Sequence, residues 1–391
     1  MTAVRILVIH PGAELYGADR VMLETAAGLC AAGHDVLVAL PEHGPLAAEL
    51  KALGAKIAVG PMFVLRKELL RPRNWVRLLT SAVTGFRAGW QLISRHRPQV
   101  AYVSTIVLPQ WPLLLRLRRI TVVTHVHEAE SASAWIVRAT LYAPQLWSHA
   151  IIANSRFTGD LMTRTIRSLQ RRIRVIHNPV PGPPHPTAPR PSLDGIRIGY
   201  VGRLSPRKGP AVVVQALAIL RARGLDARLS IVGDVFRGYE WFADELAQQI
   251  DELGLADAVT RYGYEPDVWP HIAASDVMVV PSLTDESFGN TAVEAVLAER
   301  PVIVSDLQGL REAVELYPTT RITPGGDAVK LADTIEAVAD AWPEIVGAVP
   351  AAAADARTHH SVQRYRDALV ELMEIAAARR KPGTHADIGP V

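Results

Sequence analysis

The chain has 391 residues, 49% hydrophobic and 21% charged, with a formal net charge of +3. That is too long for one ordinary core, too apolar for disorder and too charged for a polytopic membrane protein, so two globular domains are expected. One cysteine, Cys30, excludes an intrachain disulfide and a cysteine-based metal cluster.

The charge is uneven: residues 1–190 hold 23 Lys and Arg against 10 Asp and Glu, and residues 191–391 hold 19 against 29. A basic first half can be drawn to an anionic surface, and the plainer alternative is that two domains of opposite sign attract each other. No apolar run reaches the roughly 18 residues of a spanning helix. The best, 101–115, is broken by Pro109 and Pro112. The opening residues run into a strand pattern without a signal-peptide layout, and a cytoplasmic location is the expectation.

Residues 4–9 form the short apolar run of a buried parallel strand, ending in Pro11-Gly12. Helical spacing follows over 18–31, closed by Gly33 at the position that favours glycine. Strands are predicted at 35–40, 56–59, 100–104, 121–125 and 150–153, with a helix at 45–53 and helical stretches between the later strands. The segment 66–97 is basic and amphipathic. It carries Arg66, Lys67, Arg71, Arg73, Arg77, Arg87, Arg95 and Arg97, interleaved with Trp75, Phe86 and Trp90, and only Glu68 opposes them. Such a segment can lie on an anionic bilayer, or it is a solvated helix face over ordinary core residues.

Residues 179–195 concentrate Pro179, Pro181, Pro183, Pro184, Pro186, Pro189 and Pro191 with Gly182 and Gly195, the composition of an interdomain linker. The α/β rhythm then restarts. Strands are predicted at 196–201, 229–232, 259–262, 277–280, 302–304 and 320–322, and helices at 210–223, 240–253, 290–299, 328–341 and 362–380, with a frayed tail. Two doubly wound halves around a hinge leave a cleft, the preferred place for a ligand.

Four loops carry candidate chemistry. Gly202-Arg203-Leu204-Ser205-Pro206-Arg207-Lys208-Gly209 follows a strand and precedes a helix. Arg203 as a fork and Lys208 as a point charge suit a diphosphate, against the alternative of a solvated basic turn. Asp285-Glu286-Ser287-Phe288-Gly289-Asn290-Thr291-Ala292-Val293-Glu294 leads into an apolar helix that Asn290 or Thr291 can cap. Its first amides suit phosphate, and Glu286 and Glu294 suit hydroxyl donors of a ribose and a sugar. Glu294 can also be an ordinary first-turn helix acid.

His125-Val126-His127-Glu128 follows a strand, and the two histidines are expected on opposite sides if the strand continues. His127 is the candidate hydrogen-bonding or acid/base group. The spacing is not a helical metal motif, and no metal is assigned. Gly17, in the loop 12–20, can admit a phosphate or sugar closely. The loop has no dinucleotide fingerprint, and Gly233-Asp234 is a similar strand-end turn.

In order and spacing over residues 4–342 these pieces resemble retaining glycosyltransferases of the GT-B fold, family 4, in the glycogen-synthase-like and phosphatidylinositol-mannosyltransferase-like group. The strongest match is Glu286 and Glu294, separated by seven residues, followed by Gly202-Arg203 with Lys208-Gly209. The loop 12–20 is similar to the family's N-terminal glycine loop, with Tyr16-Gly17 where a double glycine is common. The stretch 175–180 is similar to the end of the first domain, with Pro179 in place of a frequent glycine.

The resemblance implies an α/β fold of two Rossmann-like domains facing each other across a deep cleft. Residues 1–185 plus 363–391 would bind the acceptor and 186–362 the donor. It implies that Arg203 and Lys208, with Gly202, hold the donor diphosphate, that Glu294 binds the ribose and that Glu286 contacts the transferred sugar. Amides around Phe288, Gly289 and Asn290 would assist, and His127 would sit over the sugar. Asp234, Arg237, Tyr264 and Pro266 would form the base-side wall.

The expected reaction is metal-independent transfer of a hexose-type sugar, with retention, from a UDP- or GDP-sugar to a lipid-linked or cell-envelope glycan acceptor, without a cofactor. The expected location is cytoplasmic, with residues 66–97 on the membrane surface. Two alternatives stand beside it: a sugar-nucleotide epimerase or hydrolase of the same shape, and a non-catalytic protein that binds anionic surfaces. Nucleic-acid motifs are absent.

Overall fold

A computed structural model describes residues 3–15, 17–65, 72–236, 238–284 and 286–378. Tyr16, Arg66, Lys67, Glu68, Arg71, Arg237, Asp285 and the expected frayed tail lie outside the described residues. The chain divides into two compact units. One is built from the residues up to Pro179 together with those from Val362 onward, and the other is Val180–Ser361. Residues 180–185 therefore go with the second unit, where Val180 is buried in the core.

The first unit is a parallel sheet of seven strands: β1 (Arg5–Ile9), β2 (Asp35–Leu40), β3 (Lys56–Val59), β4 (Val100–Ser104), β5 (Thr121–Val126), β6 (Ala150–Ala153) and β7 (Ile173–Val175). Their order is β3-β2-β1-β4-β5-β6-β7. Ile9 pairs with Ala39 on one side and Val103 on the other. Alternation sends Ile6 and Val8 to one core and Leu7 and Ile9 to the other, which is why the strand reads as unbroken apolar sequence. Each such side chain, fully buried, contributes about 1.5–3 kcal/mol.

The helix Val362–Ala378 covers the first face. Gly28 of the helix Gly17–Ala31 lets it approach, since a Cβ there would lie 3.0 Å from Arg366 Cβ. Arg366 pairs with Glu24, and Tyr365 and Thr25 hydroxyls share a hydrogen bond of 2.6 Å. The helix Trp75–His96 covers the other face and is brought close by Gly85 and Gly89, whose added Cβ atoms would meet Phe63 N at 2.6 Å and Leu114 Cδ2 at 2.8 Å.

The second unit is a parallel sheet of β8 (Ile196–Val201), β9 (Ala227–Val232), β10 (Val259–Gly263), β11 (Val277–Val280), β12 (Val302–Ser305) and β13 (Thr320–Thr323), in the order β10-β9-β8-β11-β12-β13. Both sheets reverse their winding once, between β1 and β4 and between β8 and β11. These reversals are where open α/β sheets place ligands, outside the carboxyl ends of the strands. A helix that the periodicity did not mark, Trp342–His359, holds Pro350 inside it and buries Ala352 and Ala356 in the core shared with the helix Asn290–Leu297.

Candidate functional site

At the reversal of the second sheet, the loop after β8 meets the loop after β11. Gly202 has φ +156° and its amide donates to Val232 O at 3.0 Å. The loop after β9 touches it directly: a Cβ on Gly233 would lie 2.0 Å from Gly202 O. Tyr200 donates its hydroxyl to Arg203 O at 2.8 Å, and burial followed by the nearby Glu286 charge holds the phenol well above its usual value, so it stays protonated. The Arg203 guanidinium lies over the Phe236 ring, 3.2 Å from the centroid, a cation–π contact.

Pro206–Lys208 forms one tight turn ending at Gly209, whose φ is +69°. Only glycine fits there, because a Cβ would lie 2.2 Å from Pro281 O. The turn delivers Lys208 onto Glu286, where its Nζ donates to Oε1. Arg207 Nη1 stands 3.4 Å from the same oxygen, and Ser282 Oγ donates to it at 2.9 Å. Burial pushes the Glu286 carboxyl up. Lys208, then Arg207, and hydrogen bonds from Lys208 and Ser282 outweigh that and leave it below the usual value. Glu286 is therefore a buried carboxylate held charged by two cations.

The helix Asn290–Leu297 opens at Gly289, φ +105°, with no side-chain cap. Asn290 and Thr291, expected as caps, are instead its first two residues. The cap position requires a left-handed backbone, and a Cβ on Gly289 would lie 2.4 Å from Leu310 Cδ2. The Phe288 side chain is buried in the core against His360, so only its backbone can face a ligand. Glu294 is half-buried, one turn into the helix. Asp234 is exposed, its Oδ1 accepting from Val235 N at 2.7 Å, and Tyr264 is exposed beyond β10. Gly202, Arg203, Lys208, Glu286, Gly289 and Asn290 are thus grouped at one sheet reversal.

The first unit holds the other two candidates. Gly17 opens the helix after β1. His127 lies just past the end of β5. The expectation that it faces away from His125 is overturned, because residues two apart along a strand share a face and the backbone keeps that direction past Val126, where β5 ends. The two rings lie 3.9 Å apart, tilted by 39°. His125 is fully buried with Nδ1 2.6 Å from the Tyr102 hydroxyl, and its pKa is well below the usual value through burial and then His127. His127 is lowered to about 3, by burial first and His10 second, so it is neutral at physiological pH. Its Nε2 is buried without a hydrogen-bond partner among the described residues.

Sequence reasoning missed the His10–Asp19 pair, 2.6 Å apart and beside Gly12. It also missed Arg207 and Ser282 on Glu286 and the Phe236 seat of Arg203. A histidine closing β1 and an Arg-Lys pair in a strand-end loop were the available signals. Among the described residues no group of three His, Cys, Asp or Glu side chains is placed to hold a metal ion.

Comparison with known proteins places this geometry in context. Residues 195–341 match the family described as Glycosyl transferases group 1, and residues 16–182 match Glycosyltransferase Family 4. D-inositol 3-phosphate glycosyltransferase of Paenarthrobacter aurescens is 34% identical over 153 residues, 38% of this chain and 36% of that protein. The chain spans about a third of the length of relatives of this kind. Lipopolysaccharide core biosynthesis glycosyltransferase LpsD of Rhizobium meliloti is 26% identical over 344 residues, 81% of this chain and 92% of that protein. Among solved structures, Anabaena Alr3699/HepE in complex with UDP-glucose superposes with a TM-score of 0.79 at 21% identity, covering 95% of this chain and all of that one. That likeness bears on the fold alone. With both halves matched in order, and with two Rossmann-like units each built on a reversing parallel sheet, the chain belongs to glycosyltransferase family 4 and has the GT-B fold.

Proposed function

We propose that the protein transfers a hexose-type sugar from a nucleoside-diphosphate sugar, UDP- or GDP-linked, to a lipid-linked or cell-envelope glycan acceptor, with retention of configuration. The observation that carries this is the clustering of Arg203, Lys208, Glu286 and the opening of helix Asn290–Leu297 around the β8/β11 reversal. Cleaving a glycosyl phosphate bond places negative charge on the β-phosphate. Arg203, Lys208 and the helix amides supply fixed positive charge for it, in the manner of an oxyanion hole. Glu286 holds Lys208 in place until the diphosphate arrives, and its carboxylate then accepts hydrogen bonds from the sugar hydroxyls. Glu294 takes the ribose hydroxyls. Asp234, Tyr264 and Pro266 line the side toward the base. His127, neutral and with an unpartnered ring nitrogen, bonds a hydroxyl of the transferred sugar, and Gly17 lets the substrate approach the helix that follows β1.

Charge stabilisation from the chain's own cations makes the reaction independent of a divalent metal. The test is calorimetry with UDP, GDP and their common sugar conjugates, with and without EDTA, followed by transfer assays. Preferential binding of one nucleoside diphosphate, insensitive to EDTA, is expected. Binding of none would refute the donor site. Donor turnover without any acceptor dependence would favour the epimerase or hydrolase reading.

A membrane-bound acceptor is favoured by the helix Trp75–His96. No helix among the described residues is long and apolar enough to cross a membrane. Yet Trp75, Val76 and Leu79 are 58%, 76% and 64% exposed on this helix, beside exposed Arg73, Arg77, Arg87 and Arg95. An apolar stripe flanked by arginines suits the surface of an anionic bilayer, where each basic residue contributes about 1 kcal/mol. Flotation with anionic vesicles at low salt should capture the protein. A Trp75→Ala, Leu79→Ala variant should float poorly, and no flotation of the parent protein would overturn this part.

A further inference from the structure

Glu128 follows His127 and takes no part in the reading above. Its side chain turns back on the backbone. Oε2 accepts from the amide of His127 at 3.1 Å and from the amide of Ile106 at 3.4 Å, and Oε1 accepts from the Thr105 hydroxyl. Thr105, just past the end of β4, has φ +126°, a region a β-branched residue rarely enters. It is buried, its amide donates to His125 O at 2.7 Å, and its Oγ1 also accepts from Val107 N at 3.2 Å. The exits of β4 and β5 are thus tied twice, once through backbone and once through one carboxylate, and His127 lies between the ties. Behind it, the His125 ring rests against the His127 ring and is held by Tyr102. A strained backbone persists only where its surroundings over-determine it, and such places cluster at functional sites.

We propose that Glu128 is a positioning residue: its carboxylate clamps the two strand exits together, with Thr105 as the anchor, and so fixes the His127 imidazole for its contact with the sugar. The inference rests on the role given to His127 under the proposed function. Gln can keep the clamp, because its carbonyl oxygen can accept from the two amides while its NH₂ donates to Thr105 Oγ1. Ala cannot.

The test uses the full chain with Glu128→Gln and Glu128→Ala, read by steady-state transfer, donor calorimetry, melting and amide hydrogen exchange. In Glu128→Ala, kcat should fall about tenfold or more while donor affinity holds, since small misplacement of a contacting group lowers the rate without removing the donor contacts. The His127 and Ile106 amides should exchange at least about tenfold faster, with amides elsewhere in the first unit unchanged. Glu128→Gln should stay within about threefold of the parent in kcat and match it in exchange. Should Glu128→Ala not fold, Thr105→Val carries the same test, as it keeps the branched shape and loses the hydroxyl. Its kcat should fall with donor affinity held, and equal kcat would overturn the proposal. If Gln falls as far as Ala, the carboxylate acts through its charge and the positioning role is wrong. If Ala keeps both full kcat and slow exchange, there is no clamp. If the parent protein transfers no sugar to any acceptor, the proposed function fails, and the exchange arm still decides the clamp.

Discussion

Replacing Glu286 by Gln leaves the shape and the Ser282 hydrogen bond but removes the charge that Lys208 and Arg207 face. At 3.4 Å and an effective dielectric of about 20, the Arg207 attraction alone has a ceiling of about 5 kcal/mol. Breaking a fully buried ion pair is destabilising by about 3–5 kcal/mol, while an exposed pair is worth about 0–1 kcal/mol. Here the carboxylate is buried, but the Lys208 and Arg207 side chains are 26% and 43% exposed and can turn to water. An intermediate loss of about 2 kcal/mol is therefore expected at neutral pH.

The sign with pH follows from the direction of the shift. The folded pKa of Glu286 lies below the ordinary 4.5, so its contribution is fully present above that value and is lost as pH falls through the lower, folded value. Calorimetric unfolding of the full chain, parent against Glu286→Gln, from pH 7 down to 3 reads this directly, on the transition the substitution moves. The gap should be widest near pH 7 and close in the acid range. A gap that stays constant to pH 3, or a Gln variant more stable than the parent at pH 7, would refute the account of Glu286 as a carboxylate held charged by its two cations.

Arg203→Ala and Lys208→Ala should each remove about 2–4 kcal/mol of transition-state stabilisation, seen as a fall in kcat, and transfer retained within about tenfold would refute their role. Phe236→Ala should do less, about 0.5–2 kcal/mol, because it only unseats the Arg203 guanidinium. Glu294→Ala should weaken donor binding in calorimetry while leaving the melting temperature nearly unchanged, and unaltered donor affinity would refute the ribose contact. Gly233→Ala should destabilise the second unit by more than about 2 kcal/mol in melting experiments. Its φ is +133° and the new Cβ would lie 2.0 Å from Gly202 O, so neither backbone can yield without moving the loop that carries Arg203.

The strands were legible because a parallel sheet buried on both faces writes itself as short apolar runs, and those at 35–40, 56–59, 100–104 and 150–153 coincide with β2, β3, β4 and β6. The edge strand β7 was not, since Ile173–Val175 is three residues long, includes Arg174 and is only half-buried. The helix Trp342–His359 escaped because Pro350 reads as a breaker. It persists because its alanines pack closely on the helix Asn290–Leu297. Tertiary contact, which a local pattern does not record, decides such elements.

The same division runs through the site. Residue types and spacing selected Arg203, Lys208, Glu286 and Glu294, because strand-end loops that open helices are where anions bind. What spacing could not supply is which groups touch when no ligand is present. Lys208 and Glu286 look in sequence like separate tools for phosphate and sugar. In the fold they are each other's partner, and Gly209 in its left-handed turn is what brings them together. For His125 and His127 strand alternation points the opposite way from the expectation: residues two apart share a face, and the rings lie 3.9 Å apart. What the pattern does not record is how the loop past Val126 is held, which is by the Glu128 carboxylate accepting from the His127 amide and the Thr105 hydroxyl. A loop of the candidate site is therefore least readable where it leaves its strand, because there long-range side-chain partners such as Thr105 and Glu128, rather than local periodicity, decide how it is held.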